Sequence, residues 1–100
     1  MKDEKIQEAL YPFIHLAQCY RCADISLIDT YLPVCIEFIN KFKVTFTDIG
    51  QLTSIMKGIN SANKRNDSIA VADYFEYDLC EYLQQQFRMM QQQKVETKVV

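Results

Sequence analysis

"VADYFEYDLCEYLQQQF", residues 71–87, sets five tyrosines and phenylalanines among four carboxylates, with no basic residue before Arg88. At about 100° per residue, Ala72, Phe75, Leu79 and Leu83 fall on one face. Asp73, Tyr77 and Glu81 turn to the opposite side, with Tyr74 and Asp78 beyond them. That segregation is the signature of an amphipathic helix, and it reads most of the carboxylates as a solvated face rather than an acid cluster. Glu76 departs from it. It lies only about 40° from the apolar stripe, so its carboxylate must snorkel outward or find a partner.

The rest of the chain reads the same way. One hundred residues suit one core, and 49% hydrophobic with 24% charged residues is a globular balance. Two glycines and two prolines leave little material for the tight turns of a sandwich or barrel. Apolar residues recur at helical intervals over roughly 4–22, 25–42, 49–63 and 69–91. Asp24 and Asp48 are placed to cap the second and third stretches, Asp48 with Gln51 resembling a capping box. Pro12 falls inside the first stretch and predicts a kink or a separate short piece over residues 1–11, and Pro33 predicts a bend near Tyr31–Leu32. "KVTFTD" (43–48) and "NKRNDS" (63–68) interrupt the pattern. The expected fold is all-α: a four-helix bundle of two antiparallel hairpins, its first two helices bent at proline. The domain spans residues 1–91, and 92–100 form a frayed or disordered tail.

An internal echo supports two related hairpins. A shift of 44 positions lays Arg21 on Arg65, Ile25 on Ile69, Asp29 on Asp73 and Ile39 on Leu83. In each half an aspartate follows an arginine by eight residues. The expectation is a clasp across each short loop, Arg21 to Asp29 and Arg65 to Asp73.

Composition excludes several functions. A net charge of −2 gives no reason to seek nucleic acid. No run reaches the roughly 18–20 apolar residues of a membrane span, and "MKDEKIQEALYPF" has no signal-peptide core. Four cysteines in helical sequence read as reduced thiols in a cytoplasm. There is no glycine-rich phosphate loop; Gly58 instead permits close helix contact. The run Gln84–Gln86 reads as tolerant surface.

Two site readings remain. His15, Cys19 and Cys22 stand at i, i+4 and i+7, so one helical stripe carries three potential zinc or thiol-chemistry groups, with Cys35 or Cys80 as a fourth. Asp73 and Glu76, with Cys80 nearby, form a second candidate for catalysis or metal binding. Neither has the partner set such chemistry normally shows: no second Cys-x-x-Cys pair, and no Glu-x-x-His repeat. The expectation is therefore a non-enzymatic protein-binding module with no cofactor and no metal. Tyr31, Phe38, Tyr74, Tyr77 and Phe87 are the expected partner surface, for another protein or a second copy.

"ADYFEYDLCEYL", preceded by "INSANKRNDSIAV", resembles a group of small uncharacterised helical proteins of Gram-positive bacteria. Their C-terminal helix reads like Ala-Asp-Leu-Leu-Glu-Tyr-Glu-Leu. Asp73, Glu76, Tyr77, Asp78 and Leu79 carry the match, with Ala62 and Asp67 upstream, over residues 49–83. Tyr74 and Phe75 stand where that group has leucines, Cys80 also departs from it, and no proline follows Leu79. The resemblance implies a helical fold and no particular activity. Size and helix order are also similar to flagellar export chaperones, which hold an unfolded segment along a bundle. That similarity implies an adaptor or chaperone-like role.

Overall fold

A computed structural model describes the backbone of residues 3–99 and the side chains of residues 4–91. Among the described residues every regular element is helical. In chain order these are α1 (Asp3–Arg21), α2 (Ile25–Phe42), a 3-10 turn (Lys43–Thr45) and α3 (Ile49–Lys64). Then come α4 (Ser68–Asp73), a π-helical segment (Tyr74–Leu79) and α5 (Cys80–Val99), the last three continuous. The expected frayed tail, 92–100, lies outside the residues whose side chains are described.

Three aspartates start three of these helices. The Asp24 carboxylate accepts from the Leu27 amide at 3.2 Å, Asp48 from Gln51 at 3.3 Å, and Asp67 from Ala70 at 3.0 Å. Each satisfies a first-turn N–H that has no intrahelical acceptor. α1 and α2 run unbroken through Pro12 and Pro33, so residues 3–11 are not a separate piece. A proline removes the bond to the carbonyl four residues back. Those carbonyls belong to Glu8 and Asp29, both exposed residues, where a missing intrahelical donor costs less than in the core.

The turns after α1 and α3 are built alike. Ala23 and Asn66 adopt left-handed backbone, φ 54° and 57°. Their amides donate to Tyr20 and Asn63, and the next amides, of Asp24 and Asp67, donate to Cys19 and Ala62. This is a Schellman ending whose last residue doubles as the cap of the following helix. The turns therefore correspond at a spacing of 43 residues, not 44.

The expected clasps do not form. Arg21 does not hold Asp29, and Arg65 does not hold Asp73. The Arg21 guanidinium instead reaches across to the last long helix, donating to Asp73 at 2.9 Å and to Glu76. Arg65 donates to Ser61 within its own helix at 2.8 Å. The reason is packing: α1 lies against α4 and the π segment, while Asp29 sits on the exposed side of α2. Glu76 thus has the partner its position demanded.

α1 is the central element. It packs against α2, α4, the π segment and α5, and α3 packs against α4 and the π segment. Phe13, Leu16 and Ala17 of α1, with Leu79, Tyr82 and Leu83, are wholly buried. Each large apolar side chain so buried contributes about 1.5–3 kcal/mol. Gly58 provides the close contact expected of it, since a Cβ there would stand 2.5 Å from the Tyr74 ring.

Ala23 is a side-chain-bearing residue in a conformation that costs L-residues about 1–2 kcal/mol. Ala23→Gly is therefore expected to stabilise the fold by about 1 kcal/mol, after the entropy that glycine adds to the unfolded chain. For a domain of this size the melting temperature should rise by about 4–8 °C. Thermal unfolding followed by circular dichroism checks this; an unchanged or lower midpoint would contradict the turn geometry.

Candidate binding groove

The break "KVTFTD" (43–48) borders a groove between α2 and α3. After α2 the chain makes one 3-10 turn, closed by the Phe46 amide donating to Lys43, and drops the Phe46 ring into the core. There it meets Tyr82 edge-on at 5.8 Å and Phe87 at 6.4 Å. Thr47 is then held twice by α5. Its amide donates to Gln86 Oε1 at 2.8 Å, and its carbonyl accepts from the Tyr82 hydroxyl at 2.8 Å. Asp48 follows in left-handed backbone, φ 52°, and caps α3. Gln86, expected on the surface, is 4% exposed. Its acceptor is what a loop amide far away in sequence requires.

α2 and α3 do not pack closely against each other. Between them runs a groove of about 440 Å³. Ile36, Ile39, Ile49, Leu52 and Met56 supply its apolar lining, and Ile39 and Leu52 are buried enough to form its floor. Asn40, Lys43, Thr53, Lys57 and Asn60 line it too, all exposed and therefore on the rim. The lining contains two lysines and no carboxylate.

The five aromatic residues expected to form a partner surface do not converge. Phe87 is buried, and Phe38 packs edge-on against it at 5.8 Å and against Phe13 at 5.6 Å. Both fill an aromatic core. Tyr31 is half-buried against His15, and Tyr74 lies over Gly58. Tyr77 is exposed, with the Arg21 guanidinium 6.0 Å from its ring. A helical stripe fixes which residues share a face, but not which face meets a neighbour. Large aromatics then go where the interior has room.

The histidine–cysteine stripe is dispersed, whereas Asp73 and Glu76 meet at Arg21. His15 is sandwiched by Tyr11, stacked at 5.9 Å, and Tyr31, edge-on at 4.5 Å. Cys19 faces the core and Cys22 the solvent. Among the described residues, no three His, Cys, Asp or Glu side chains are grouped to hold a metal ion. Asp73 and Glu76 are engaged by Arg21, whose own pKa these bonds raise further, Glu76 first. Burial pushes the Cys80 thiol up to about 12, with the Glu76 charge adding to it. Burial does the same to Cys35, aided by Cys80. Burial raises Cys19 too, then Asp24 and Cys22. These are conditions for packed thiols, not for nucleophiles. No helix among the described residues is long and apolar enough to cross a membrane.

No protein-family model, curated protein or solved structure matches the chain.

Nothing in the sequence marked Ile36, Lys43, Met56 or Lys57 as neighbours. They sit on different elements and meet only in the folded chain. The one available signal was the exposure of lysines beside an apolar stripe on both helices.

The thiols give a direct check. A maleimide reagent read by mass spectrometry should label Cys22 rapidly in the folded protein, and Cys19, Cys35 and Cys80 only on unfolding. Because burial raises the folded pKa of Cys35 and Cys80 above 9.0, their contribution is complete below that pH and is lost as pH rises towards about 12. Urea midpoints should therefore fall more steeply over that window in the wild type than in Cys80→Ala. Equal slopes would contradict the buried-thiol reading.

Proposed function

We propose that this chain is a small non-enzymatic adaptor or chaperone-like binding module, working in the cytoplasm, that holds a segment of another protein in the α2–α3 groove. The observation that carries the proposal is the groove itself: an apolar floor between two helices, rimmed by exposed polar side chains. Helical domains commonly hold partner segments in this way. The buried thiols of Cys19, Cys35 and Cys80 and the Arg21 cluster point the same way, because each is committed to packing or ion pairing. The finer architecture belongs to the same proposal: a bundle of two antiparallel hairpins bent at Pro12 and Pro33. So does the resemblance to small helical proteins of Gram-positive bacteria and to export chaperones. Tyr77, exposed beside Arg21, is the one residue of the expected aromatic surface that remains fully available for a secondary contact.

Ile36 and Met56 are half-buried groove residues, so a glutamate at each remains solvated and should leave the fold intact. Immobilised wild type and the Ile36→Glu/Met56→Glu variant, matched by circular dichroism, are exposed to native cell extract. A protein retained by the wild type and lost from the variant supports the proposal. Identical captures would remove the groove from the function, and stoichiometric zinc or iron in tag-free protein would favour a metal-dependent activity instead.

A further inference from the structure

We propose that the groove's occupant is an amphipathic helix of a different protein, with acidic residues flanking its apolar stripe. This rests on the reading of the groove as a docking site and adds the chemistry of what docks.

Three observations carry it. The first is charge. The rim presents Lys43 and Lys57 and no carboxylate, on a chain whose net charge is −2. The local sign therefore opposes the global one and selects for negative charge beside the apolar stripe. The second is hydrogen bonding. The groove walls are helices, whose backbone groups are internally paired, and no strand edge exists among the described residues. An extended segment would gain no main-chain ladder there, whereas a helix satisfies its own backbone and needs only side-chain complementarity. The third is the chain's own candidate for self-docking. The C-terminal stretch "QQQKVETKVV" carries Lys94 and Lys98 against one acid, Glu96. It has the wrong charge for a lysine-rimmed groove, so charge argues against a second copy inserting that segment.

The test uses the full chain and two synthetic peptides of about 18 residues, long enough to form five helical turns. Both carry leucine at i, i+3, i+4 and i+7. One has glutamate at the flanking positions and the other lysine. Fluorescence anisotropy should show the glutamate peptide binding about tenfold more tightly at low salt, and its helicity should rise on binding. Lys43→Glu/Lys57→Glu should reverse the preference, and Ile36→Glu/Met56→Glu should abolish binding of both. Equal binding of both peptides, still lost in the Ile36→Glu/Met56→Glu variant, overturns the acidic-helix assignment and leaves the groove as a docking site. Binding without a gain in helicity overturns the helix. Binding that the groove substitutions leave unchanged, or no binding of either peptide, overturns the inference, while the capture experiment decides the groove's function separately. A wild-type dimer in light scattering that the groove variant loses assigns the groove to a second copy.

Discussion

The feature on which the rest depends is the attachment of one loop residue, Thr47, to α5. Its amide and carbonyl are both taken by side chains from a single helical turn, Gln86 and Tyr82, while Phe46 beside it is driven into the aromatic core. Gln86, itself buried, is held at this position by the part-buried bond from the Thr47 amide. The consequence is geometric. The chain between α2 and α3 is fastened to α5 at this point, and the two helices flank a groove instead of packing on each other. Structure and proposed function share that single constraint.

A second attachment, Arg21 to Asp73 and Glu76, ties the end of α1 to the start of the last long helix. It is partly exposed, so its worth lies in fixing orientation more than in raw stability. The continuous α4–π–α5 helix is therefore fastened at one end by an ion pair and further along by the Thr47 bonds. The π segment between them carries both Glu76 and the fully buried Phe75 and Leu79.

Much of this was legible in the amino-acid sequence, and the divide follows physical lines. Helix starts are local events: an aspartate accepting from an amide three residues on is readable at Asp24 and Asp48. Apolar periodicity likewise located the helices and buried Phe75, Leu79 and Leu83. Partner choice is not local. Arg21 stands eight residues before Asp29, yet packing presents it to Asp73. Gln86 sits in a run of three glutamines that looks solvated, and nothing nearby reveals that its partner lies 39 residues away. The aromatic residues chosen as a surface were chosen for chemistry; the interior claimed Phe38 and Phe87 because it had the volume for them. The groove was invisible for the same reason, being a space between elements and not a property of any one.

The central claim is that α5 pins the α2–α3 connection. Amide hydrogen exchange at Thr47 in the native protein tests it most directly, because that residue is exposed and lies outside regular structure. A bond to buried Gln86 should make its amide exchange as slowly as the core amides of α5, only through large-scale opening. Exchange at the rate of an open loop, with the α5 amides still protected, would show that the connection is free and that the groove has no fixed width.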